Sequence, residues 1–209
     1  ETYRTLSAKG RLMIRDGFGA QWSPDGKKLA FSLGVLGRSG VAVFDPATNE
    51  TDLLIVPGKY PRWSPDGRYI AFVRDRQFLR VPEFMTADPD NRPLAAVDQE
   101  IWLMKSDGTD PRRLARGIWP SWSKDSNSVY YRSRADSVLY SISVVGENAE
   151  PKQIMVGPAF STSVSPDNEN VAYVQGTSLK VRGLSSTALI AEWPLPLPSD
   201  GWRAPVWSP

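Results

Sequence analysis

Apolar residues in this chain fall in short runs separated by polar corners, and no stretch carries the helical spacing of an amphipathic segment. One set of runs is Leu29–Ser32, Tyr69–Arg74, Val129–Arg132 and Val171–Gln175. Each is followed by another, at Val41–Phe44, Ile101–Lys105, Val138–Ile142 and Leu179–Arg182. A third set runs over Leu53–Val56, Arg112–Ala115, Gln153–Val156 and Ala188–Trp193. Runs this short, bounded by Gly, Pro, Asp and Ser, predict β-strands throughout.

The corners themselves repeat. Gln21-Trp22-Ser23-Pro24-Asp25-Gly26 leads into the first run and returns as Arg62-Trp63-Ser64-Pro65-Asp66-Gly67. Weaker copies are Ser121-Trp122-Ser123-Lys124-Asp125-Ser126 and Ser163-Val164-Ser165-Pro166-Asp167-Asn168, and the sequence ends in Val206-Trp207-Ser208-Pro209. Successive Trp positions are 41, 59, 42 and 43 residues apart, so the unit is about 42 residues and one copy carries an insertion. Pro-Asp-Gly forms a tight turn, because Pro presets φ at the first corner and Gly tolerates positive φ. It joins a strand around the Trp to the first apolar run. A Gly precedes each Trp strand, at Gly17, Gly58, Gly117, Gly157 and Gly201. Four antiparallel strands repeated at this period predict an all-β propeller, its blades set around a central channel.

The stretch Trp63-Ser64-Pro65-Asp66-Gly67, then Ile70-Ala71-Phe72, Ile101-Trp102-Leu103-Met104, Asp107-Gly108-Thr109 and Arg112-Arg113-Leu114 resembles the WD40-like repeat of TolB-type β-propellers. The resemblance covers essentially the whole chain and implies a fold more than a function. It also implies an extracytoplasmic setting, periplasmic or extracellular. Prolyl-oligopeptidase-type enzymes carry similar repeats, but their catalysis lies in a separate hydrolase domain, which is not expected in residues 1–209. Lys124, Ser126 and Val164 depart from the motif, which predicts weaker turn chemistry in those copies without changing the blade count.

Residues 1–209 then read as a single propeller domain, with a loop inserted at 75–99 in the second full repeat. Thr2–Leu6 and Arg11–Asp16 read as third and fourth strands, and Ala204–Pro209 as an innermost strand. Together they predict a split fifth blade that closes the ring without an open sheet edge. Its second strand is missing, so the alternative is a piece of a six- or seven-bladed ring. TolB-type rings typically have six blades. Glu1 in place of Met reads as a processed or trimmed chain, so a structural or regulatory propeller cut from a larger extracytoplasmic protein is a further reading.

Composition then narrows the chemistry. The chain of 209 residues has no His and no Cys, which excludes His-dependent triads, thiolate nucleophiles, disulfides and Cys-based metal sites. Its net charge of +2, with basic residues scattered, argues against a nucleic-acid partner. No apolar run approaches a membrane span. Five-bladed glycosidases work through paired carboxylates. Here Asp25, Asp66, Asp125 and Asp167 occupy turns, and the innermost strands present no carboxylate pair. An enzyme is not expected, and neither is a cofactor. Asp88, Asp90 and Asn91 offer oxygen ligands for calcium but fit no recognised loop spacing, so no metal is expected.

What remains is a binding surface. Loops from strand four to the next strand one share a face with loops between strands two and three, which is where the insertion emerges. An aromatic residue precedes each innermost strand on that face: Phe18, Tyr60, Trp119, Phe160 and Trp202. Lys59, Arg62 and Arg203 stand beside them, and Phe78 and Phe84 lie in the insertion. Aromatic anchors beside Arg and Lys suit a protein or peptide partner bound by a chain that is a monomer or part of a larger protein. The same aromatics suit sugar stacking, so a carbohydrate-binding or glycan-cleaving propeller is the alternative. Trp22, Trp63, Trp122 and Trp207 recur with the fold and are expected to pack between blades.

Overall fold

The computed structural model describes residues 17–35, 38–75, 99–133, 135–146, 149–154, 162–165, 167–184, 186, 188–195 and 207. Among these, every regular element is a strand. The chain divides into two compact units, 1–120 and 121–209.

In the first unit, β1 (Phe18–Trp22), β2 (Leu29–Val35), β3 (Arg38–Asp45) and β4 (Glu50–Ile55) form one sheet in chain order. A second sheet follows in the same order: β5 (Lys59–Trp63), β6 (Tyr69–Asp75), β7 (Gln99–Lys105) and β8 (Arg112–Arg116). β9 (Ile118–Trp122) straddles the boundary and pairs with β10 (Ser128–Arg132), followed by β11 (Leu139–Ser143) and β12 (Lys152–Gln153). The last sheet is β13 (Thr162–Val164), β14 (Asn170–Gln175), β15 (Ser178–Gly183) and β16 (Leu189–Pro194). Among the described residues, the strands pair antiparallel with their chain neighbours, the meander expected of propeller blades.

The motif turn explains why each meander begins where it does. In the first sheet the Gly26 N–H donates to the Ser23 carbonyl at 2.8 Å, and Gly26 takes φ of 70°. Ser23 Oγ donates to Asp25 at 2.6 Å and accepts from the Lys28 N–H at 2.9 Å, closing the corner from inside. The same three-way contact recurs at Ser64–Asp66–Tyr69 and Ser123–Asp125–Ser128, and between Ser165, Asp167 and Asn170. Ser126 and Asn168 adopt φ of 61° in place of glycine, so the turns expected to be weak keep their geometry. The serine–aspartate pair, rather than Pro and Gly, is what all four corners share.

Each unit has its own core. In the first, Ala30, Val41 and Val43 of one sheet pack with Trp63, Ile70, Phe72 and Met104 of the next. In the second, Tyr130 and Leu139 meet Val171 and Tyr173. Each fully buried aliphatic or aromatic side chain in such a cluster contributes about 1.5–3 kcal/mol of transfer free energy. Trp63 is 6% exposed and packs between sheets as expected, whereas Trp22 is 52% exposed. The reason is its place: Trp63 lies against the sheet before it, and no described strand precedes the sheet that carries Trp22. Trp122 and Trp207 are half-buried, and Trp207 donates its indole N–H to the Ser163 carbonyl at 3.1 Å.

Candidate functional site

The candidate residues meet in the first unit, at the strand ends opposite the motif turns. β5 pairs Lys59 with Val73 and then Arg62 with Ala71, so Tyr60 and Pro61 stand against Phe72 alone. That is a β-bulge, and it recurs in β1 between Phe18 and Gln21. Within these two bulges Tyr60 takes φ of 54° and Gly19 66°, and in β9 Trp119 takes 56°. Positive φ suits Gly19 but strains a bulky aromatic, at about 1–3 kcal/mol each.

The surrounding residues hold Tyr60 in that conformation. Its N–H, released from the ladder by the bulge, donates to Ser32 Oγ at 2.8 Å, and Ser32 is fully buried. The N–H of Trp63 donates to Gln21 Oε1 at 2.8 Å. The Tyr60 ring packs edge-on against Phe18 with centroids 5.2 Å apart. A Cβ added at Gly19 would lie 3.0 Å from Tyr60 Cδ1, so only glycine lets the ring approach. Phe18 is 39% exposed, and Tyr60 and Trp119 are half-buried. The aromatics therefore lie inside the first strands rather than before them, and not in one register. Gly19, not Phe18, matches Tyr60 and Trp119.

The cations are engaged. Lys59 Nζ bonds Asp75 Oδ2 at 2.8 Å, with side chains 18% and 29% exposed, and lies 5.9 Å from the Tyr60 centroid. Gln99 Nε2 donates to the other oxygen of Asp75 at 2.9 Å. Asp75 and Gln99 are also a ladder pair, so this network clamps the stem from which residues 76–98 depart. Arg62 donates to the carbonyls of Gly19 at 3.3 Å and Pro61 at 3.0 Å. Burial pushes its guanidinium down from its ordinary value, yet an arginine stays charged in such a setting. Beyond the stem, Arg74 stacks over Trp102 at 4.6 Å, and the buried Glu100 accepts from Trp102 at 3.1 Å and pairs with Arg113 at 2.7 Å.

The structure thus brings together Phe18, Lys59, Tyr60 and Arg62, and adds Ser32, Asp75 and Gln99, which the sequence reading missed. Asp75 and Gln99 are the two residues bordering the insertion, which is the signal that could have found them. Phe78, Phe84, Phe160, Trp202 and Arg203, the calcium candidates Asp88, Asp90 and Asn91, and, Trp207 apart, both ends expected to close the ring lie outside the described residues. Among the described residues no group of three acidic side chains is placed to hold a metal.

No family model matches the sequence, and no curated protein matches it by sequence. Solved structures do. TolB from Acinetobacter baumannii matches with a TM-score of 0.62 at 16% identity, over 83% of this chain and 42% of that one. A TolB structure from Agrobacterium tumefaciens matches with a TM-score of 0.62 at 18% identity, over 84% of this chain and 65% of that one. The fold is that of a TolB-type β-propeller. Hydrazine synthase of Kuenenia stuttgartiensis is similar at a TM-score of 0.56 and 14% identity, over 84% of this chain and 62% of that one. This propeller chain spans less than two thirds of each of these three, and at such identities the likeness speaks for fold alone. Among its described residues no helix is long and apolar enough to cross a membrane.

Proposed function

We propose that this chain is a non-enzymatic propeller module that binds a protein or peptide on the face carrying Tyr60 and the stem of the 76–98 insertion. The supporting observation is Tyr60 itself. A bulky residue at φ of 54° persists only where its surroundings over-determine it, and such outliers cluster at ligand clamps. Here Ser32, Phe18 and Gly19 hold the ring half-exposed at the foot of the longest connection between described strands. Trp119 extends the surface in this reading, while Phe78, Phe84, Phe160, Trp202 and Arg203 are partner-binding candidates from the sequence alone. Lys59 and Asp75 act as positioning residues that fix the stem.

The non-enzymatic reading rests on the side chains present. The sequence contains no His or Cys, and Asp25, Asp66, Asp125 and Asp167 each spend a carboxylate oxygen on their own turn. The propeller fold also serves enzymes, hydrazine synthase among them, so fold alone does not decide the class. The resemblance to TolB-type repeats supports an extracytoplasmic site of action and a role within a single domain or a larger protein. The test is capture of proteins from the source cells by the immobilised chain, beside the Tyr60→Ala/Trp119→Ala variant. Proteins retained by the parent and lost by the variant support the reading. Identical retention, or a signal confined to a glycan array, overturns it.

A further inference from the structure

Next to the stem of the insertion, the second sheet carries charges where the first has none. Arg74, Glu100 and Arg116 stand directly opposite one another across β6, β7 and β8, so their side chains share one face. A bulge in the β7–β8 ladder pairs Trp102 with Arg113 and brings Arg113 to that face as well. The first sheet builds the same bulged ladder with Leu33, Gly40, Ala42 and Leu53 in the places of Arg74, Glu100, Trp102 and Arg113. A Cβ on Gly40 would lie 2.8 Å from Leu53 and 2.9 Å from Val56, the counterparts of Arg113 and Arg116. Small and apolar side chains therefore suffice for the blade, and its architecture does not require the charges.

Nor do these charges balance. Glu100 is 8% exposed and spends one oxygen on the Trp102 indole at 3.1 Å and the other on Arg113 Nε at 2.7 Å. Asp75 and Gln99, the next ladder pair, alternate to the other face, where Asp75 is held by Lys59 and Gln99. Among the described residues the Arg74 guanidinium makes only its stacking contact, 4.6 Å from the Trp102 ring, and that of the exposed Arg116 makes no polar contact. Trp102 rests on the core shared by the two sheets, so Arg74 lies on a fixed platform. Three guanidiniums against one carboxylate leave two positive charges on the strip. Arg74 and Arg116 are two strand spacings apart, about 10 Å between backbones.

Guanidiniums without an acid partner suit carboxylates, which they grip through paired N–H donors. We propose that this strip binds an acidic segment of a peptide, with its carboxylates on Arg74 and Arg116. The assignment rests on the peptide-binding reading above and names the chemistry of that partner. In an extended segment about three residues cover the distance between the two arginines. Glu100 is a positioning residue, holding Arg113 and Trp102 in place beneath the segment.

The experiment titrates the full chain with acetyl-tetraglutamate amide and follows the indole resonances in ¹H–¹⁵N spectra, Trp102 being assigned through Trp102→Phe. The expected result is a saturable shift of the Trp102 indole that weakens with added salt. Arg74→Gln/Arg116→Gln leaves the Glu100–Arg113 pair in place and should weaken binding at least about tenfold, the loss expected of charge-assisted contacts. A Trp102 resonance that stays fixed, equal binding by the double variant, or an equal response to acetyl-tetralysine amide or to inorganic phosphate would overturn the assignment. Identical protein capture by the Tyr60→Ala/Trp119→Ala variant would instead remove the reading beneath it, and the peptide titration does not depend on that result.

Discussion

Tyr60 concentrates the argument at the scale of single residues. Its positive φ costs about 1–3 kcal/mol, and its edge-on contact with Phe18 returns about 0.5–1.5 kcal/mol. The cost is about twice the return, so the conformation is not there for stability. Tyr60→Gly relieves the strain and removes the ring together, and its expected effect on unfolding free energy is within about 1 kcal/mol of zero. Partner capture should nonetheless fall. Urea denaturation decides it: a loss above about 3 kcal/mol would make Tyr60 an ordinary core ring. Gly19→Ala should behave in the opposite sense. Its Cβ meets Tyr60 Cδ1 at 3.0 Å and its φ of 66° disfavours alanine, so a loss of more than about 1 kcal/mol is expected by the same measurement.

The repeated turn governs the element scale, and its aspartates make stability depend on pH. Hydrogen bonds from Ser23 and the Lys27 N–H hold Asp25 below the usual carboxylate range, as Ser123 does for Asp125 and Ser165 for Asp167. At Asp66 burial pulls upward, but Ser64 and Arg68 together outweigh it and the net shift is also down. A carboxylate lowered in the folded state contributes stability above its unfolded pKa of about 3.9, and that contribution fades as pH falls through the folded value. The urea midpoint should therefore decline below about pH 4, and Asp→Asn at all four turns should flatten the decline. A slope unchanged by the four substitutions would assign it to other acids. The turn also offers a gain. Lys124 stands where the first two corners have Pro24 and Pro65, and its N–H makes no hydrogen bond among the described residues. Lys124→Pro should raise stability by about 0.4–1 kcal/mol, read from the thermal midpoint, by restricting the unfolded chain.

For the molecule as a whole, the period of about 42 residues was enough to reveal four-stranded blades, because turn residues and short apolar runs each repeat in step. Strand pairing follows directly from that order. The site was less legible, since a bulge depends on backbone register, and no pattern of residue types distinguishes Tyr60 inside β5 from an aromatic just ahead of it. Ser64 was passed over for a related reason: only the folded turn shows its hydroxyl donating to Asp66 while accepting from the Tyr69 N–H. The stem of the insertion was legible in position but not in mechanism. Asp75 and Gln99 sit opposite each other as the last pair of the β6–β7 ladder, tied by a side-chain bond and by Lys59. A hairpin already closed at that pair does not need residues 76–98 to hold its register. Replacing them with Asn-Gly, a two-residue turn suited to such a ladder, should leave the fold intact. Loop-closure entropy would add up to about 2 kcal/mol of stability, an amount set by the logarithm of the shortened length. If the insertion serves recognition, the shortened chain should melt no lower than its parent and yet retain fewer proteins on the capture resin. A melting point lowered by several degrees would instead make the insertion part of the packed blade, and a full set of retained proteins would move the binding surface elsewhere.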